Sequence, residues 1–207
     1  NILFQQILST DSQEFKDLQE RGSSVKTLLG KKFGSARIRE AGSKKKGTMI
    51  KASYDLDITC YFPHDDTSAG ESLKEIYQNV GISIREEHVT IPKGSAIRVC
   101  DATGKADFHI DVVPGRFVDG DKGDVFLYIS SGEKERLKTN LDIHIAYVRD
   151  SGVRDAIRLM KFWRELNGIQ IKTFTLELLV IKLLKEKKDM ALSEQLLHVW
   201  EQFKSNG

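Results

Sequence analysis

The sequence predicts an α+β fold: a small mixed β-sheet core, with a long N-terminal helix before it and a C-terminal helical lobe after it. Three observations carry that prediction. Apolar residues recur at helical spacing between Asp11 and about Leu29. The middle of the chain breaks into short runs rich in β-formers, separated by Gly, Pro and Asp. From Val153 onward the helical period returns. We therefore divide the chain into a core, residues 1–150, and a helical lobe, residues 151–207.

The first helix places Phe15, Leu18, Val25 and Leu28 on one side, after a Thr-Asp-Ser start suited to capping. Ala36–Ala41 reads as a short strand, followed by a tight Gly42-Ser43 turn and a basic loop or helical turn. Asp55–Phe62 is a strand by composition and alternation. Gly70–Val80 reads as a helix, and Ala96–Cys100, Ala106–Val113 and Val125–Ile129 as three further strands. In the lobe, Val153, Ile157, Leu159, Met160, Trp163 and Leu166 define a helix that stops at Asn167-Gly168. Thr175–Leu184 and Leu192–Phe203 follow as two more, and no internal repeat is present.

Charge narrows the function classes. Against 32 basic residues stand 30 acidic ones, a net charge of +2, which lacks the cationic excess of a dedicated nucleic-acid binder. The basic residues are nonetheless clustered. One group runs through Lys31, Lys32, Arg37, Arg39, Lys44, Lys45, Lys46 and Lys51, another through Arg154, Arg158, Lys161 and Arg164, and both flank the motifs below. There is no apolar run near the ~20 residues that span a bilayer. Asn1–Leu8 lacks the basic front and cleavage site of a signal peptide. Cys60 and Cys100 read as small core residues. The expectation is a cytoplasmic protein with no membrane partner.

The chemistry lies in Gly42-Ser43, Lys46-Gly47-Thr48 and Asp55-Leu56-Asp57. Residues two apart on a strand share a face, so Asp55 and Asp57 set two carboxylates side by side while Leu56 and Ile58 turn to a core. Such neighbours repel, and one pKa rises unless a cation lies between them. Hard oxygen ligands select magnesium or manganese. Asp111 is a lone charge in the apolar run Phe108–Pro114, costly there unless compensated. If its strand lies beside Asp55–Phe62, the three carboxylates hold two cations about 3.5–4 Å apart, the arrangement of two-metal phosphoryl transfer. Gly42 lets backbone approach a phosphate closely, the Ser43 hydroxyl adds a donor, and Lys46 and Lys51 supply nearby positive charge. His109 alternates with Asp111 and is expected to face the same pocket without binding metal. His64-Asp65-Asp66 reads as a turn, and neither Leu29-Gly30-Lys31-Lys32 nor Gly104-Lys105 has phosphate-loop spacing.

Gly-Ser followed after a short gap by Asp-x-Asp resembles the signature of the polymerase-β-type nucleotidyltransferase superfamily. Gly42–Thr48 and His109-Ile110-Asp111-Val112-Val113-Pro114 are similar to its oligoadenylate synthetase and cGAS-like branch, above all the bacterial cyclic oligonucleotide synthases of antiphage defence. Lys138-Thr139-Asn140 with His144-Ile145, Arg158–Trp163 and Thr173–Glu177 extend the likeness over roughly Gly30–Leu184. The resemblance implies that Lys161 and Thr173 contact the donor triphosphate and that Phe174 stacks on its base, Thr standing at 173 where the family usually has Ser. It also implies nucleoside triphosphates as substrates, ATP first among them, and an activating nucleic acid or protein as a further partner. Family members usually continue beyond the last helix here, which bears on how an acceptor is enclosed.

The expected activity is Mg- or Mn-dependent nucleotidyl transfer, two ions being held by Asp55, Asp57 and Asp111, with a cyclic or short oligonucleotide second messenger as product. Transfer to an RNA 3′ end, transfer to a small molecule or protein, and a catalytically silent nucleotide-binding module are the alternatives.

Overall fold

The computed structural model describes residues 2–7, 11–100, 109–131 and 134–205. Among these, a short helix α1 (Ile2–Gln6) precedes the long helix α2 (Gln13–Lys32). The core continues as β1 (Arg37–Glu40), α3 (Gly42–Lys46), β2 (Asp55–Phe62), α4 (Leu73–Arg85), β3 (Val89–Pro92), β4 (Ile97–Cys100), β5 (His109–Phe117), β6 (Val125–Tyr128) and β7 (Arg136–Thr139). Helices α5 (Leu141–Arg149), α6 (Arg154–Leu166), α7 (Thr173–Leu183) and α8 (Leu192–Ser205) complete it. The α+β class is as expected, and the sheet is mixed. Its order is β1-β2-β5-β4-β3, with β6 on the far end of β5 and β7 on β6. β2 and β5 run parallel, and the other pairings among the described strands are antiparallel.

Several boundaries differ from the sequence reading for local reasons. The helix expected over Gly70–Val80 starts at Leu73, because Ser72 and Glu75 form a reciprocal capping box there. It then runs on to Arg85. The Ser12 side chain caps α2 by accepting a hydrogen bond from the Phe15 amide. α7 begins at Thr173, two residues before the expected start. β3 and β7 were not anticipated: each is an edge strand with three of four residues exposed, so neither shows a buried alternation. Nor was α5, whose N-cap is Asn140. The first part of the strand expected over Ala106–Val113 lies outside the described residues.

Alternation along β2 decides what faces where. Leu56, Ile58, Cys60 and Phe62 are buried against α2 and α4, together with Ile110 and Val112 of β5. α2 approaches so closely that a Cβ at Gly22 would sit 2.2 Å from Leu56 Cδ2. The opposite face carries Asp55, Asp57 and Asp111. A second cluster joins Val153, Ile157 and Met160 of α6 to Leu176 and Val180 of α7 and Val199 of α8, with Val148 of α5 packed into it. Cys60 and Cys100 are buried and unbridged, and burial pushes the Cys60 thiol up to about 12. No described helix is long and apolar enough to cross a membrane.

Candidate active site

Parallel pairing of β2 with β5 sets the register Asp57↔Asp111, with Asp55 opposite His109. One carboxylate oxygen from each of Asp55, Asp57 and Asp111 lies within 4.8 Å of the others, an arrangement able to hold a metal ion. Burial and the charges of Asp55 and Asp111 raise the Asp57 carboxyl to about 7, against the opposing pull of Lys46 and Lys161. A group so perturbed favours either a proton or a cation beside it. The orientation expected for His109 concerns a side chain outside those described.

The Gly42-Ser43 segment is fixed to this floor. The Ala41 amide donates to the Asp57 carbonyl at 2.8 Å, and Gly42 adopts φ +61. A Cβ at Gly42 would lie 1.5 Å from Asp57 Oδ2, so glycine is required by contact as well as by conformation. The expected turn is the one-turn helix α3, ended by Gly47 at φ +70. Ser43 is buried, and its Oγ has no hydrogen-bond partner. Such an atom is rare unless a ligand or water completes it.

A cavity of about 230 Å³ opens over these residues. Gly42, Ser43, Asp55 and Asp57 line it from the core; Lys161, Thr173 and Phe174 line it from the helical lobe. Seven of the eight residues selected from sequence thus border one space, and Asp111 joins them through the carboxylate cluster. Lys161 is buried, its Nζ donating to the Thr48 carbonyl at 2.9 Å, and burial holds its pKa below the usual lysine range. Phe174 is less open than an unencumbered stacking platform. His144 stacks on its ring with centroids 4.6 Å apart, and the Lys46 ammonium sits 4.6 Å from the centroid. Burial, then the Lys46 charge, lowers the His144 pKa. Lys51, expected near the phosphates, instead pairs at the surface with Glu14 at 3.8 Å.

Three further residues border the site without a role assigned from sequence, Arg164 having been noted only as a member of a basic cluster. Arg98 on β4 grips Asp111 with two bonds of 2.7 Å, from Nε to Oδ1 and from Nη2 to Oδ2. Arg164 donates from Nη1 to Thr173 Oγ1 at 2.9 Å. Glu177, fully buried on α7, accepts from Lys46 and Thr48. A signal for Glu177 existed: it is a lone charge within Leu176–Ile181, the same anomaly that singled out Asp111. Arg98 offers no such signal, because its partner is set by strand register. A wider cleft of about 520 Å³ lies beside Lys26, Arg39, Lys45 and Arg149. Its charges are largely paired within it, Lys26 with Glu40 and Arg39 with Asp142, and the carboxylate cluster found among the described residues lies outside it.

No protein-family model matches the sequence, and no curated protein matches it. Solved structures do match in fold. Vibrio cholerae DncV, a cyclic AMP-GMP synthase in complex with the linear intermediate 5′ pppA(3′,5′)pG, superposes with a TM-score of 0.77 at 15% identity, covering 99% of this chain and 76% of that one. Elizabethkingia meningoseptica CdnE, a cyclic dinucleotide synthase with GTP and Apcpp, gives 0.73 at 17% identity over 100% of this chain and 84% of that one. E. coli MS115-1 CdnC with ATP gives 0.66 at 19% identity, over 92% of this chain and 64% of that one. The chain therefore has the fold of these proteins and spans less than two thirds of the length of CdnC.

Proposed function

We propose that this chain carries the catalytic centre of a metal-dependent nucleotidyltransferase that joins nucleoside triphosphates into a cyclic or short oligonucleotide messenger. The observation that carries the reading is the convergence of Asp55, Asp57 and Asp111 within 4.8 Å, beside a Gly-Ser segment whose Ser43 hydroxyl lacks a partner. The fold shared with DncV, described as a cyclic AMP-GMP synthase, and with CdnE, described as a cyclic dinucleotide synthase, supports the choice of product class.

The three carboxylates suit magnesium or manganese: they are hard donors, and the raised Asp57 pKa marks negative charge awaiting a counterion. When bound, such ions neutralise the triphosphate and acidify the attacking hydroxyl. The chain's own groups do the rest. Ser43 donates its hydroxyl to a phosphate oxygen, and Lys161 adds positive charge from the facing wall. Thr173 Oγ1 accepts from Arg164, which leaves its own proton to donate into the cavity. Phe174 contributes an apolar side for the base, and full stacking calls for His144 to move off the ring. An acceptor ribose oxygen attacks the α-phosphorus, the bond to the β-phosphate oxygen breaks, pyrophosphate leaves, and the hydroxyl proton passes to a carboxylate of the cluster. Positioning and charge neutralisation account for the catalysis, with no covalent intermediate on the protein.

Cytoplasmic action fits the unbridged cysteines and the need for triphosphates. E. coli CdnC has been seen in complex with HORMA-deltaN, which supports a protein activator as the first partner to seek here. The test is to incubate the protein with all four nucleoside triphosphates and magnesium or manganese, treat with phosphatase, and identify products by mass spectrometry. A phosphatase-resistant cyclic species, absent from the Asp55→Asn, Asp57→Asn variant, is expected. Linear oligonucleotides instead would move the assignment to polymerising chemistry. Absence of both product and metal-dependent ATP binding would overturn the enzyme reading.

A further inference from the structure

Glu177 is a fully buried carboxylate with no role in the chemistry above. Its two oxygens reach two residues on either side of Gly47. Oε2 pairs with Lys46 Nζ at 2.7 Å, and Oε1 accepts from Thr48 Oγ1 at 2.8 Å. The Thr48 carbonyl in turn accepts from Lys161 Nζ at 2.9 Å, and the Thr48 amide donates to the Ser43 carbonyl at 2.9 Å. Glu177 lies four residues beyond Thr173 on α7, a spacing that stacks the two on one helical face. One face of one helix thus borders the cavity and holds the segment that carries Ser43.

Stability alone gives little reason for this arrangement. A buried ion pair can often be exchanged for apolar residues of similar volume without loss, whereas removing one partner is damaging. What an apolar pair cannot supply is direction, since it fixes no donor to a particular oxygen. The two lysines are held differently. Lys46 pairs directly with Glu177, whereas Lys161 donates to the uncharged Thr48 carbonyl and feels the charges of Glu177 and Asp55 without an ion pair to either, so its ammonium borders the cavity.

We infer that Glu177 is a positioning residue: through Lys46 and Thr48 it clamps the Gly42–Thr48 segment to the helical lobe, so that Ser43 and Lys161 meet the donor triphosphate in fixed register. The inference rests on the nucleotidyltransferase reading for the identity of the ligand, but its first test needs no ligand. Hydrogen exchange of the segment 42–52 is compared between the unsubstituted protein, the Lys46→Met, Glu177→Leu double variant and Thr48→Val. Binding of the non-hydrolysable analogue α,β-methylene-ATP with magnesium is then measured by calorimetry on all three.

The double variant is expected to melt within about 5 °C of the parent, because the pair is replaced by apolar bulk. Its segment should exchange roughly tenfold faster and its affinity for the analogue fall roughly tenfold, the loss of one charge-assisted anchor. Thr48→Val, which preserves side-chain shape and loses one bond, should show both effects at about threefold. Unchanged exchange and unchanged binding in the double variant would reduce Glu177 to a packing residue and overturn the inference. If the double variant does not fold, Thr48→Val decides by the same two readouts. Faster exchange in a protein whose parent binds no analogue would overturn this role and leave Glu177 a loop anchor only, while the nucleotidyltransferase reading would stand or fall with the product assay.

Discussion

The two walls of the cavity have opposite electrostatic states. On the sheet side, three carboxylates crowd within 4.8 Å, and Asp57 is driven to about 7 by burial and by its neighbours. On the helical side the positive groups are already engaged, Lys161 with the Thr48 carbonyl and Arg164 with Thr173 and Glu165, and Glu177 of that side holds Lys46 of α3. The sheet wall is frustrated without a ligand, whereas the helical wall is organised in advance. The first is suited to capturing a cation, and the second to meeting an anion with cationic groups already held in place, His144 on the Phe174 ring being the one contact a stacked base would displace. The metal–triphosphate unit of the proposed function would satisfy both at once.

The contrast can be broken from the sheet side most strongly. Asp55→Asn with Asp57→Asn should lower product formation by roughly 10³-fold or more. The metal-free melting temperature should hold or rise, because repulsion is relieved; calorimetry beside mass-spectrometric product assays would show both. A fall in metal-free stability would mean that the cluster is not frustrated. Next, Gly42→Ala forces a methyl into Asp57 Oδ2 and strains a left-handed backbone. Its activity should drop about 100-fold through misplacement of the reacting groups, with a lowered melting temperature as the accompanying readout.

Acidity sharpens the comparison further. The Asp57 carboxyl rises from 3.8 in the unfolded chain to about 7 in the fold. Between those values the folded state holds a proton that the unfolded chain has lost, so metal-free stability declines as pH climbs toward 7 and this contribution then levels off. Cation binding must expel that proton. Apparent magnesium affinity should therefore be about tenfold higher at pH 8 than at pH 6, read as a larger magnesium-induced shift in melting temperature. Equal shifts at the two pH values would contradict the assignment. The smallest effect concerns the cation already on the sheet wall. Arg98→Met should cost about 1 kcal/mol of metal-free stability, the pair being only partly buried. It should also enlarge the stabilisation by magnesium, since a competing positive charge is gone. A smaller magnesium shift would show that Arg98 orients Asp111 rather than competing with the ion.

How much of this was legible in the sequence depended on the range of the signal. Asp55 and Asp57 declared themselves because a strand's period of two is local, and Asp111 because a charge stood in an apolar run. The helical wall was placed by resemblance, which selected Lys161, Thr173 and Phe174, and the structure brings all three to the same cavity. Arg98 was invisible because strand register chose its partner, pairing it with Asp111 across β4 and β5. Phe174 carried no sign that His144 would lie on its ring, since that contact joins two helices far apart in sequence. The missed strands β3 and β7 are edges, where solvent on both faces erases the alternation by which strands are recognised.

Distance along the chain has one more consequence, for the order in which the molecule comes together. Lys46 and Thr48 meet Glu177 across 131 and 129 positions, and Lys161 meets Thr48 across 113. Contacts of such separation form late, because the entropy of closing long loops must be overcome before they return any stability. The acidic half of the cavity needs only β2 and β5, but its opposite wall arrives with the final helices. During synthesis the cluster of carboxylates can therefore form well before the helical wall that faces it, and on the proposed function nucleotide would stabilise only the finished fold.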